Sequence, residues 1–235
     1  MICRPFCCIF VHIPKTAGRS VEKFFLNKLG LDRDNADDRQ QLLLVDNDDP
    51  GKGTEKLTHL SAAEYVDCGH ISKEEFSSYF KFSFVRNPWA RIVSEYRYRN
   101  FFGHKSFKDF VLNRLPAPGW DDKYRHIMPQ TEMLHDRDGK LLVDFVGKFE
   151  CLQNDFDHVC KQLGFTQSRL PHVNSSDKKS RELRRRIRNR LRRNSENSFR
   201  NYTEFYDAET RESVANLYRG DIEAFGYTFD DAVKN

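Results

Sequence analysis

The stretch Phe10-Val-His-Ile-Pro-Lys-Thr-Ala-Gly-Arg-Ser20 decides the reading of this chain. Upstream, Cys7-Cys-Ile-Phe-Val-His-Ile13 is short, apolar and rich in β-branched and aromatic residues, the composition of a parallel strand buried on both faces. Downstream, Val21, Phe24, Phe25, Lys28 and Leu29 recur at helical spacing. Between them lies a Pro/Gly loop with one lysine and two hydroxyls, so the segment predicts a strand, a phosphate loop and a helix. At such a junction the free N–H groups of the first helical turn, the helix dipole, Lys15 and the hydroxyls of Thr16 and Ser20 converge on an anion. A nucleotide phosphate fits that set. Lys15 precedes Gly18, the only glycine of the loop, whereas a Walker A loop places Gly-Lys-Ser/Thr at its end, so a magnesium-dependent kinase is disfavoured.

A second segment, Phe82-Ser-Phe-Val-Arg-Asn-Pro-Trp-Ala-Arg-Ile-Val-Ser-Glu-Tyr96, repeats the strand-to-helix pattern. Asn87 suits an N-cap and Pro88 the first helical position, where a missing N–H costs nothing. Arg86 then stands at the carboxyl end of a strand, the edge at which open α/β sheets bind ligands, with a planar fork of donors suited to phosphate. Ser94, about two helical turns further on, adds a hydroxyl.

The pair Pro14-Lys-Thr-Ala-Gly-Arg-Ser20 and Phe84-Val-Arg-Asn-Pro-Trp-Ala-Arg-Ile-Val-Ser94 resembles the 5′-phosphosulfate loop and the 3′-phosphate motif of carbohydrate sulfotransferases that use PAPS, 3′-phosphoadenosine 5′-phosphosulfate. The likeness is to the uronosyl and heparan sulfate 2-O- and 6-O-sulfotransferases and their small soluble bacterial relatives. Arg125-His-Ile-Met-Pro-Gln130, Asp144-Phe-Val-Gly-Lys-Phe-Glu150 and Leu170-Pro-His-Val-Asn174 extend it over nearly the whole chain. The resemblance implies that Lys15, Thr16, Ala17, Gly18, Arg19 and Ser20 hold the 5′-phosphosulfate. Arg86 and Ser94 would hold the 3′-phosphate, and Asn174, Ser175 and Ser176 would belong to a loop closing over the nucleotide. It also implies a general-base histidine between the motifs; Leu57-Thr-His-Leu-Ser-Ala-Ala-Glu64 is similar to that segment, which makes His59 the candidate. Ser61-Ala-Ala-Glu64 has the form of a capping box, predicting a helix start that fixes the loop before it. Some relatives carry a second histidine two positions earlier, where this chain has Leu57.

The chemistry so implied moves a sulfonate in line from a phosphoanhydride oxygen to an acceptor hydroxyl, most naturally on a sugar. A neutral imidazole accepts the hydroxyl proton at physiological pH, and Lys15 neutralises charge developing on the leaving phosphate. That scheme requires no metal, and the cysteines support none: Cys68-Gly-His70 supplies at most one ligand pair, and buried reduced thiols account for the rest. Arg97, Arg99, His104, Arg125, His126 and Gln130 are candidate acceptor contacts.

With 235 residues and 38% hydrophobic content, the chain is expected to form one domain over 1–235, an α/β P-loop-like three-layer fold with a central parallel sheet flanked by helices. The absence of a long apolar run or a leader predicts a soluble, cytoplasmic protein, or a Golgi-lumen one if an amino-terminal anchor has been removed. Residues 32–53 are acidic and polar, and a loop excursion is expected there. Ser72-Lys-Glu-Glu75 is a second capping box, Leu141 to Phe149 reads as a strand, Asn154 to Leu163 as a helix, and Asp207 to Ala224 as a closing amphipathic helix with Leu217 facing inward and Gly226 as its stop.

A basic expansion is expected at 177–198. Within it, Lys178 to Arg193 carries ten basic residues and one acidic, a net +9, which leaves the remainder at −5 against a chain total of +4. Leu183, Ile187 and Leu191 recur every four residues, so a basic helix suited to a polyanionic glycan, the 3′-phosphate side of PAPS, RNA or an acidic membrane is one reading, and a solvated charged excursion is the other. Two alternatives to a sulfotransferase follow from single features: a P-loop nucleotide kinase from the first loop, and a polyanion- or nucleic-acid-binding module from the basic run. Neither accounts for Arg86-Asn-Pro at a strand end, and no specific nucleic acid is expected.

Overall fold

Four short strands form one sheet: β1 (Ile2–Cys3), β2 (Cys8–Val11), β3 (Phe80–Val85) and β4 (Phe145–Lys148), ordered β1-β2-β3-β4 in this computed structural model, which describes residues 1–99, 106–171 and 201–230. Strands β2, β3 and β4 are parallel, with Phe10 opposite Phe82 and Phe82 opposite Phe145, and β1 adds an antiparallel edge. Between β2 and β3 run α1 (Gly18–Leu29), α2 (Ala36–Gln41), α3 (Glu64–Asp67) and α4 (Lys73–Ser78). Between β3 and β4 run α5 (Pro88–Tyr98), α6 (Phe107–Asn113), α7 (Asp122–Arg125) and α8 (Gln130–Leu134). After β4 come α9 (Leu152–Gln162), α10 (Ala208–Leu217) and α11 (Arg219–Phe225). The chain forms the α/β, P-loop-like three-layer arrangement expected of it, and clusters into two compact units, Met1–Arg86 with Pro116–Pro171, and Asn87–Leu115 with His172–Asn235.

The first unit holds the sheet. Side chains alternate across a strand, and Cys8, Phe10, Phe82 and Phe84 share one core with Val21, Phe24, Phe25 and Leu26 of α1 and Phe156, Val159 and Cys160 of α9. Phe24 meets Phe156 edge to face, 4.9 Å between centroids. The alternate positions Ile9, Val11, Ser83 and Val85 are buried too, which is why these strands read as continuous apolar runs. A Cβ at Gly147 would lie 2.5 Å from the Phe84 ring and 2.9 Å from Cβ of Asp155. Only glycine lets β4 pass between them.

In the second unit, the Asn87 side chain accepts from the N–H groups of Trp89 and Ala90 and Pro88 opens α5, as the sequence predicts. Helix α5 buries Trp89, Ile92, Val93 and Tyr96, and Tyr96 packs on Phe107 and Phe110 of α6.

Several local expectations are corrected. The 32–53 excursion contains α2, capped by Asn35, and midway along it Leu42 and Leu44 are both buried in the core; those two leucines anchor a segment that its acidic residues make look unstructured. Ser61 does not cap a helix: its N–H and hydroxyl both donate to the Glu64 carboxylate, and the turn that follows has no side-chain cap. The Leu141–Phe149 strand shortens to Phe145–Lys148, with Leu141 42% exposed. The closing helix breaks at Tyr218 (φ −111°, ψ 28°), which turns Leu217 outward at 40% exposure while Tyr218 itself is buried. His104, Asn174, Ser175, Ser176 and the basic run at 178–193 lie outside the described residues. Among the described residues, no helix is long and apolar enough to cross a membrane.

Candidate active site

The loop after β2 is strained. Lys15 (φ 74°) and Ala17 (φ 67°) occupy the left-handed region, which costs a residue bearing a Cβ on the order of 1 kcal/mol or more. A left-handed residue followed by right-handed helix turns successive N–H groups into one concavity, and no side chain caps α1 at that end. Thr16 is wholly buried, its hydroxyl donating to the carbonyl of Ile13 at 2.8 Å, so it shapes the loop from within. Lys15 and Ser20 are half-buried and Arg19 is exposed.

Gly18 has a second reason to be glycine. Its hypothetical Cβ would fall 2.0 Å from Cδ2 of His12, because that imidazole lies flat against the first turn of α1. His12 Nδ1 is 2.6 Å from Glu22 Oε1, and Arg33 donates to Glu22 Oε2 at 2.7 Å. Burial opposes ionisation of Glu22, yet the His12 and Arg33 partners hold its carboxyl down at about 2. An ionised carboxylate only accepts, so the His12 nitrogen facing it carries the proton.

Arg86 joins the two motifs within the first unit. Its guanidinium donates to the Lys15 carbonyl at 3.1 Å and stacks 4.1 Å above the Phe149 ring. Its backbone is gripped by Gln130, whose amide accepts from Arg86 N–H at 2.8 Å and donates to Arg86 C=O at 2.9 Å. Gln130 is wholly buried and so serves the chain rather than an acceptor, which corrects its candidacy. Arg125 forks onto Glu64 with contacts of 2.8 and 2.5 Å.

His59 closes a short 3-10 turn, Leu57–His59, and is buried. Its Nδ1 lies 2.5 Å from Oδ1 of Asp122, and His126 Nε2 lies 3.2 Å from Oδ2 of the same carboxylate. The His59 ring meets those of His12 and His126 edge to face, at 4.9 and 5.3 Å. Burial pushes the His59 imidazole down to about 4; the Asp122 hydrogen bond opposes this, and the neighbouring histidines reinforce it. Burial alone would raise the Asp122 carboxyl, but His126 and His59 hold it well below the usual carboxylate range. The ligand atoms of His59, Asp122 and His126 all lie within 4.8 Å of one another, close enough to share a metal ion as well as protons. A cavity of about 1070 Å³ elsewhere in this unit, lined by Ser61, Glu64, Met128, Glu132, His135 and Arg137 among others, includes neither the loop nor His59, and its acidic rim does not suit a phosphate.

With this geometry in place, comparison with known proteins is decisive. A sequence profile of the sulfotransferase family matches residues 2–228. The chain belongs to the sulfotransferase family. Among curated proteins, it is similar to a protein of Archaeoglobus fulgidus described as uncharacterized, 32% identical over 109 residues that cover 45% of this chain and 85% of that one. No solved structure matches significantly. Membership makes the chain a transferase of sulfonate groups, and the motif residues Lys15 to Ser20, Arg86 and His59 of this sulfotransferase all lie in its first unit, with Ser94 on α5 of the second. Sequence reasoning missed His12, Glu22 and Asp122. His12 and Glu22 carry a readable sign, an ionisable pair flanking the loop at spacing that crosses from strand to helix. Asp122 carries none, because 63 residues separate it from His59.

Proposed function

We propose that this sulfotransferase takes its sulfonate from PAPS and delivers it to a hydroxyl, on a carbohydrate, with His59 as general base. The observation that carries the reading is the tie between the motifs: the Arg86 guanidinium donates to the main-chain carbonyl of Lys15, which holds one cationic residue of each motif beside the strained loop. Paired donors of that kind suit a nucleotide bearing phosphate at both ends of its ribose. In the reaction so proposed, the acceptor oxygen forms a bond to sulfur as the bond from sulfur to the 5′-phosphate oxygen breaks in line. The hydroxyl proton passes to the free nitrogen of His59, and charge gathering on the departing phosphate is met by Lys15 and the first-turn N–H groups. A buried imidazole held near 4 is unprotonated at physiological pH, as a base must be. Contacts from Ser94, Asn174 and Ser175 to the nucleotide rest on the motif match alone, as does the choice of a sugar.

Calorimetry with adenosine 3′,5′-bisphosphate against AMP tests the donor. The 3′-phosphate is expected to tighten binding by at least about tenfold, or about 1.4 kcal/mol; equal affinities would sink the PAPS reading. A screen for transfer of labelled sulfonate over neutral and acidic polysaccharides then tests the acceptor.

A further inference from the structure

His59 needs more than a low proton affinity to act as a base. Free imidazole carries its proton on either nitrogen, and only one tautomer leaves Nε2 with a lone pair. The residue that selects it lies on α7. Asp121 caps that short helix by accepting from Lys123 N–H, and Asp122 N–H donates to Glu55 at 3.0 Å, so the Asp122 backbone is held at two adjacent points. Its side chain is held as well: each carboxylate oxygen faces a different imidazole, His59 Nδ1 at 2.5 Å and His126 Nε2 at 3.2 Å, and Lys56 approaches to 4.0 Å. Because an ionised carboxylate has only acceptors, both facing nitrogens must be N–H donors.

We propose that Asp122 is the positioning residue of this site, one carboxylate setting the tautomers of two histidines, His59 and His126, so that His59 presents Nε2 as the proton acceptor. The inference rests on the reading of His59 as the base. When Nε2 takes the hydroxyl proton, His59 becomes an imidazolium whose Nδ1–H already points at a carboxylate, and the new positive charge forms beside a fixed negative one. His126 supplies the second imidazole that Leu57 does not: it comes from a different part of the chain and reaches the site through the same aspartate rather than through sequence proximity.

The test is long-range proton–nitrogen NMR on the histidine rings of the whole chain at neutral pH, paired with kinetics of the D122N and D122E variants. In the native protein His59 is expected to be protonated on Nδ1 and His126 on Nε2. Asparagine offers one acceptor and one donor, so in D122N the two rings cannot both keep these tautomers and one must invert. Sulfonate transfer should fall by about 10²- to 10⁴-fold in that variant, mostly in kcat, while affinity for adenosine 3′,5′-bisphosphate stays within about twofold and D122E recovers part of the loss. The proposal is overturned if His59 is protonated on Nε2 in the native protein, if both rings keep their tautomers in D122N, or if the purified protein holds a stoichiometric transition metal that D122N loses. Failure of the donor reading would show separately, as native protein that does not prefer the bisphosphate while its ring tautomers stand.

Discussion

The loop after β2 and the His59–Asp122–His126 cluster occupy the same unit and are built in opposite ways. Residues 10–22 form the loop from one contiguous piece of chain: strand, left-handed turn, helix N-terminus, with His12 laid against Gly18 and paired to Glu22 of the same helix. The cluster draws His59 from a turn between α2 and α3, Asp122 from α7 and His126 from that helix's C-cap, so that side chains 63 residues apart meet at hydrogen-bond distance. What the loop offers an anion is backbone N–H groups, which any non-proline residue supplies if the dihedrals are right. The cluster is built of side-chain nitrogens and oxygens, which only particular residues supply. The first kind of site is carried by local geometry; the second depends on tertiary contacts.

That contrast predicts where substitutions hurt most. Replacing His59 with alanine should reduce transfer by at least about 10²- to 10⁴-fold and leave affinity for adenosine 3′,5′-bisphosphate nearly unchanged; steady-state kinetics beside calorimetry reads both, and retained turnover would remove His59 from the mechanism. Lys15→Ala acts on the other side of the comparison. It should weaken both nucleotide binding and turnover, since its charge serves ground state and leaving group alike, and a variant with native affinity would show that the backbone concavity alone holds the anion.

Gly18→Ala should destabilise the fold by roughly 1–3 kcal/mol, the range for an overpacked interior, because the added methyl displaces the His12 ring. Chemical denaturation measures it, and an unchanged midpoint would mean that His12 can leave Glu22 without penalty. The smallest effect is in pH. His59 sits at about 4 when folded against an ordinary value near 6.5, so between those limits the unfolded chain binds a proton that the folded chain refuses. Stability should therefore fall as pH drops from about 6.5 to 4. The depressed carboxyls of Glu22 and Asp122 carry the same sign at lower pH. Urea midpoints measured from pH 7 to pH 4 would show the slope, and His59→Ala should flatten it over that window.

How much was readable in advance follows the same division. The strand-loop-helix pattern around Gly18, the Asn87-Pro88 helix start and the parallel sheet were all legible, because each depends on neighbours within a few residues. The errors arose where a local pattern was overruled from a distance. Ser61 and Glu64 look like a cap, but the Glu64 carboxylate is taken up by the Ser61 N–H and hydroxyl and by the guanidinium of Arg125. Gln130 looks like a polar contact for substrate, but both ends of its amide close on the Arg86 backbone.

By itself, then, the order of residues determined the sheet, the strand-loop-helix turn after β2 and the two cationic motifs, since apolar periodicity, proline and glycine placement and backbone sterics operate over a single turn or strand. Tertiary structure decided the rest: that Arg86 hydrogen-bonds the loop, that His12 lies on Gly18, and that one aspartate holds two histidines. Those contacts join residues whose separation along the chain leaves no periodic trace, and only packing the core around Phe10, Phe82 and Phe156 brings their segments together.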